Sequence, residues 1–192
     1  MLLINKNTKL LIFDCDGTIA NNMPIHINAW ETVLINHNLH ITTENLDNFH
    51  GMPSRYILKH LYKHLNDLEI NHIANEIASY TNKNIDKGIA IKPAIEIINK
   101  YYNHKKMVVL SGGTKKNVFK TLDALGITNL FNEIITADDD HPSKNTTEAF
   151  TLIADKYDIP YHECHVFEDG VPGLIHALKA GMTVTDMRTI DL

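Results

Sequence analysis

The chain is poor in cysteine. Cys15 and Cys164 are the only two in 192 residues, too few for the disulfide framework of a small secreted fold. Both adjoin strand-like runs, so they read as reduced thiols of a cytoplasmic protein. Long apolar runs are missing too. None reaches the roughly 20 residues of a membrane-spanning helix. Asn5, Lys6, Asn7 and Lys9 interrupt the first stretch, Met1 to Leu11, so no signal peptide is expected there. Positive charge is the third deficit. Against 23 Asp and Glu stand 18 Lys and Arg, a net charge of −5, which argues against a nucleic-acid backbone as the main partner. An anionic substrate would need local positive charge, from a metal or a few basic side chains, against that field. Internal repeats, linkers and low-complexity tracts are also lacking.

What is present reads as a globular α/β chain. Hydrophobic residues make up 44% and charged residues 21%, and the length suits one domain or one domain with a smaller insert. The organising stretch is Leu10-Leu11-Ile12-Phe13-Asp14-Cys15-Asp16-Gly17-Thr18. Four apolar residues predict a strand buried on both faces. Asp14 and Asp16 then appear where that strand should end, where buried carboxylates are costly unless a cation or ligand holds them. From Pro24 to about residue 85 the apolar spacing is helical, carried by Ile27, Trp30 and Val33, then Ile57, Leu58 and Leu61, then Ile70, Ile73 and Ile77. From Ile89 onward strands and helices alternate. Met107–Leu110, Glu133–Thr136, Cys164–Phe167 and Thr183–Asp186 are the strands. This alternation predicts a doubly wound parallel sheet, with residues 1–20 and 89–192 as the core and 21–88 as an inserted helical cap.

Two further clusters fall at predicted strand ends. Ser111 follows the second core strand, and Gly112, Gly113 and Thr114 open the next helix. A hydroxyl beside free N–H groups suits a phosphate. Glu168 and Asp169 follow the fourth strand, an adjacent acidic pair as costly as the first. Successive parallel strands end on one edge, so these groups converge on one pocket. Their combined negative charge calls for Mg²⁺, which prefers carboxylate, water and phosphate oxygens. Other candidates are weaker. His60 and His64 have metal-ligand spacing on a helix but read as a surface pair, and His165 in His162-Glu163-Cys164-His165 reads as structural.

Asp14-Cys15-Asp16-Gly17-Thr18 resembles the first motif of the haloacid dehalogenase superfamily, and Val166-Phe167-Glu168-Asp169-Gly170-Val171-Pro172-Gly173 resembles its fourth. The resemblance implies a Rossmann-like core with a cap. Asp14 would be the nucleophile and Asp16 the acid/base. Ser111 and Lys144 would hold the phosphoryl group with Gly112 and Gly113. Asp14, the backbone carbonyl of Asp16, Glu168 and Asp169 would bind Mg²⁺. Lys144 departs from the family pattern, being followed by Asn145 rather than Pro. The likeness is greatest to the β-phosphoglucomutase-like branch, including sugar-phosphate phosphatases, and it points to His26 and Arg55 as substrate-binding cap residues. Arg55 stands four residues after Gly51, whereas related mutases place theirs three after. One residue turns a helical side chain by about 100°, so a phosphatase is expected over a mutase. A receiver-like signalling module or a non-catalytic phospho-ligand binder is a further alternative; the insert and the intact Asp14/Asp16 pair argue against both. A monomer acting on a small phosphorylated metabolite is expected, with neither nucleic acid nor membrane as partner.

Overall fold

The computed structural model describes residues 4–42, 46 and 53–190. The chain divides into two compact units, Met1–Asn21 with Gly88–Leu192, and Asn22–Lys87.

The larger unit is built on five parallel strands. These are β1 (Leu10–Phe13), β4 (Lys106–Leu110), β5 (Glu133–Ile135), β6 (Cys164–Glu168) and β7 (Thr183–Asp186), in the spatial order β5-β4-β1-β6-β7. The first strand is central. Phe13 lies opposite Val109 on one side and Phe167 on the other. All four residues of β1 are buried, as expected of a strand covered by helices on both faces. Alternation sorts the side chains. Leu11, Phe13, Met107, Val109 and Phe167 point to one face, against α4 (Lys92–Tyr101) and α5 (Lys115–Ala124). Leu10, Ile12, Val108 and Val166 point to the other, against α6 (Glu148–Lys156) and α7 (Val171–Lys179). The rings of Phe13 and Phe167 stack with centroids 4.6 Å apart. The strand order reverses at β1, with the chain moving outward through β4 and β5 before returning to β6. In open α/β sheets such a reversal leaves a crevice at the carboxyl ends of the flanking strands.

A short antiparallel ribbon had no clear sequence signal. β2 (Ala20–Asn21) pairs with β3 (Ile89–Ala90), so the two ends of the insertion meet in the larger unit. Pairs of two residues carry too little pattern to be read from alternation.

The smaller unit is helical. α1 (Met23–Asn36), α2 (Ser54–Leu61) and α3 (Asp67–Asn84) bury Trp30, Val33, Leu34, Ile57, Leu58, Ile70, Ile73 and Ile77 together. α3 starts on a capping box. Asn66 accepts from the backbone N–H groups of Leu68 and Glu69, and the Glu69 carboxylate accepts from the Asn66 N–H. α1 ends in a Schellman turn. Asn38 adopts φ 55°, Leu39 donates to the Leu34 carbonyl and Asn38 donates to that of Ile35. Among the described residues no helix is long and apolar enough to cross a membrane.

His165 occupies the interior of β6. Its two ring nitrogens lie 2.8 Å from the hydroxyls of Thr183 and Thr185 on β7, and burial lowers its pKa from 6.5 to about 4. The folded protein therefore holds it neutral, while the unfolded chain protonates it near 6.5. Its contribution is complete above about pH 6.5 and is lost as pH falls toward 4, by at most about 3 kcal/mol. A comparison of chemical denaturation for His165→Gln and the native protein between pH 7 and 4 should show a shallower fall in stability for the variant. Parallel curves would mean that His165 carries no such linkage.

Candidate active site

The three principal strand ends of the sheet carry the chemistry. β1 runs directly into Asp14, whose N–H donates to the Phe167 carbonyl at 3.0 Å. That bond ties the start of the acidic turn to β6. The Cys15 carbonyl then accepts from the N–H groups of Ile19 and Ala20, and the turn reverses at Gly17 with φ +80°. A β-carbon at Gly17 would stand 2.0 Å from Oδ2 of Asp169. Glycine is thus required twice here, for the left-handed backbone and for the close approach of the second acidic cluster.

Asp14, Glu168 and Asp169 offer carboxylate oxygens that all lie within 4.8 Å of one another. Asp14 is 5% exposed and Glu168 2%. Lys144 meets this cluster from the loop after β5. Its Nζ stands 2.6 Å from Oδ1 of Asp14 and 2.9 Å from Oε2 of Glu168. Burial opposes charge on Lys144, but the attraction of Asp14 and Glu168 outweighs it and raises the ammonium pKa. Asp14 shows the other side of the balance. Burial, then repulsion from Glu168, pushes its carboxyl well above the usual range despite the pull of Lys144. One lysine does not neutralise the buried carboxylates of Asp14 and Glu168 with the half-buried Asp169 beside them. This excess of oxygen donors with unrelieved negative charge fits a hard divalent cation.

Ser111 ends β4 on the same edge. It is 5% exposed, and its Oγ accepts from the Gly113 N–H at 3.0 Å. A β-carbon on Gly113 would lie 3.3 Å from that Oγ and 3.4 Å from Oδ2 of Asp16, so Asp16 and Ser111 flank the same glycine. Gly112 is exposed. Thr114 caps α5, accepting from the Asn117 N–H. Asp14, Asp16, Ser111, Gly113, Lys144, Glu168 and Asp169 are therefore assembled in the larger unit. His26 lies on α1 and Arg55, exposed, in the first turn of α2; both belong to the helical unit. Gly51, the reference point for the spacing of Arg55, lies outside the described residues. His60 stacks on Tyr56 and His64 meets the Tyr62 ring edge-on.

Sequence reasoning gave Gly170 and Gly173 no role beyond their motif. The structure gives them one. The Glu168 carboxylate accepts from the Gly170 N–H at 2.8 Å, and a β-carbon on Gly173 would lie 2.7 Å from its Cδ and Oε2. The side chain that meets Lys144 is thus seated against glycine in the first turn of α7. The spacing of Gly173 five residues after Glu168 was visible, but nothing local says that the carboxylate folds back over the helix. Gly to Ala within a helix ordinarily stabilises by about 0.5–1 kcal/mol. Here Gly173→Ala overpacks a buried carboxylate and should destabilise by about 1–3 kcal/mol. A thermal midpoint that rises in the variant would show that Glu168 has room to move.

Residues 11–187 match the family model described as haloacid dehalogenase-like hydrolase. An uncharacterized protein of Haemophilus influenzae is 31% identical over 95% of this chain and 92% of its own. The fructose-1-phosphate phosphatase YqaB of Escherichia coli is 28% identical, covering 94% and 96%. Among solved structures, one described as a predicted phosphoglycolate phosphatase from Haemophilus somnus superposes with a TM-score of 0.80, covering 93% of this chain and 84% of that one. Its 22% identity makes that a likeness of fold. With the family model spanning nearly the whole chain, and the acidic strand ends assembled as described, the protein belongs to the haloacid dehalogenase-like hydrolases.

Proposed function

We propose that this hydrolase is a Mg²⁺-dependent phosphatase that cleaves a small sugar-phosphate-type monoester through an aspartyl-phosphate on Asp14. The observation that carries the reading is the placement of the Lys144 ammonium on Asp14, 2.6 Å from Oδ1, at the crevice between β1 and β6. A buried carboxylate held by a fixed cation, with further acids beside it, is suited to receive a phosphoryl group. The phosphatase named for fructose 1-phosphate among the relatives supports the substrate class.

In this reading Asp14 attacks phosphorus in line, forming the Asp14–phosphorus bond as the bond to the ester oxygen breaks. Asp16 gives its proton to the departing sugar oxygen. It then takes a proton from the water that attacks the aspartyl-phosphate, which releases phosphate and restores Asp14. Lys144, the Ser111 hydroxyl and the Gly112 N–H balance charge on the phosphoryl oxygens, while the Gly113 N–H holds the Ser111 Oγ in place. The carboxylates of Asp14, Glu168 and Asp169 and the Asp16 carbonyl would hold Mg²⁺. When bound, the ion offsets their repulsion and polarises the phosphoryl group. The helical unit, Asn22–Lys87, acts as the cap that selects the substrate, with His26 and Arg55 as its contributions. Hydrolysis is preferred to isomerisation because Arg55 stands four residues after Gly51, where related mutases place theirs three after.

With Mg²⁺ present, the purified protein should release inorganic phosphate from hexose and pentose phosphates, and chelation should abolish the activity. Asp14→Asn should be inactive, because an amide is a poor nucleophile. Substantial turnover in the folded variant would exclude the covalent route. If isomerised sugar phosphate formed much faster than free phosphate, with a trace of sugar bisphosphate supplied, the protein would be a mutase.

Asp16→Asn should separate the two proton roles. Loss of a positioned general acid slows departure of a sugar alkoxide by about 10²–10⁴-fold, whereas an aryl leaving group needs little protonation. Pre-steady-state release of p-nitrophenol should therefore survive better than hydrolysis of an alkyl phosphate. Equal losses on both substrates would remove Asp16 as the proton donor.

A further inference from the structure

The helical unit carries a second group of metal-type side chains. His72 and Glu76 lie four residues apart on α3, which puts them on one face of the helix. His37 stands at the carboxyl end of α1, brought to the same face by the packing of α1 and α3 around Trp30, Val33, Leu34, Ile70 and Ile73. Nε2 of His37 lies 2.6 Å from Oε2 of Glu76, and Nε2 of His72 lies 3.7 Å from Oε1. The two imidazoles meet edge to face, with centroids 5.7 Å apart. One ligand atom from each residue lies within 4.8 Å of the other two.

The backbone beneath these side chains is fixed. His37 is the cap residue of the Schellman turn that ends α1, and its N–H donates to Leu34. Glu76 and His72 sit in the middle of an 18-residue helix with a full capping box at its start. The bond from His37 holds the Glu76 carboxyl below the usual carboxylate range. The chemistry differs from that of the strand-end carboxylates. Two borderline imidazole nitrogens with a single carboxylate suit zinc and its neighbours, and the nitrogen majority is poor for magnesium. In a tetrahedral zinc site the ligand atoms stand about 3.3 Å apart. The two contacts fall on different oxygens of Glu76, and with one ligand atom from each residue within 4.8 Å of the other two, the set need adjust by no more than about 1.5 Å to reach that spacing. Side-chain exposure of 26% at His37, 67% at His72 and 43% at Glu76 leaves room for that adjustment and for water in the remaining position.

We propose that His37, His72 and Glu76 form a binding site for a divalent transition ion of the zinc class within the helical unit. The ion would join the carboxyl end of α1 to the middle of α3, replacing a direct hydrogen bond by three coordinate bonds. Such a clamp acts on the packing of that unit and needs no part in the phosphoryl chemistry.

The test is titration of the tag-free full-length protein with Zn²⁺ by calorimetry, in millimolar Mg²⁺ so that the strand-end carboxylates are already supplied with a hard cation. The native protein should take up one Zn²⁺ equivalent that Mg²⁺ does not displace. His72→Gln and His37→Gln should each weaken it at least about tenfold, since even outer-shell partners of a metal cost that much. Ring proton signals of His37 and His72, assigned by those variants, should shift on adding Zn²⁺. Replacing an exposed His72 leaves the packed face of α3 untouched, so the variant should fold. Equal Zn²⁺ affinity in the native protein and both variants would overturn the proposal, as would a Zn²⁺ equivalent lost on Asp169→Asn but kept on His72→Gln.

Discussion

Three carboxylates crowded at the end of a buried sheet repel one another, and the ammonium of Lys144 is what makes the arrangement tolerable. Its two short contacts to Asp14 and Glu168 tie β1, β6 and the loop after β5 into one electrostatic unit. The bond leaves the balance incomplete. Asp14 still resists ionisation because burial and the neighbouring acids exceed the pull of one lysine. The site thus invites positive charge by construction, even though the chain as a whole is acidic.

The architecture supplies the rest. Parallel strands release their chains on one edge, and the reversal of strand order at β1 opens the crevice there. The apolar faces on either side of the sheet then hold that edge rigidly. Phe13 and Phe167, stacked just below Asp14 and Glu168, fix the spacing between the two acidic strand ends. Small residues finish the fit. Gly17 admits Asp169 and Gly173 admits Glu168, so the acids are seated by the absence of side chains as much as by their own hydrogen bonds.

Much of this was legible beforehand. The apolar run at Leu10–Phe13 and the acidic pair behind it identified the first strand and its turn, because a fully buried strand is continuous in apolar residues and its end is not. Glu168-Asp169 stood out for the same reason. Lys144 was readable only through the resemblance to the haloacid dehalogenase superfamily, which places a lysine after the third core strand. Its reach to Asp14, 130 residues earlier, has no local signature. The β2–β3 ribbon is likewise invisible, since two-residue strands gain their stability from pairing and not from pattern. The triad of His37, His72 and Glu76 combines one readable spacing, four residues on a helix, with a third member from another helix.

Periodicity alone marked the strand and helix segments and their apolar faces, because it follows from the geometry of strands and helices. The sequence also determined the donors: carboxylates at strand ends, a hydroxyl before a helix, a lysine in a loop. Which of these groups meet is set by packing alone. Contact between Lys144 and two acids, the seating of Glu168 over Gly173 and the grouping of two histidines with Glu76 all depend on distances between segments far apart in the chain. Those distances are set by the packing of whole faces, which no short stretch of residues encodes.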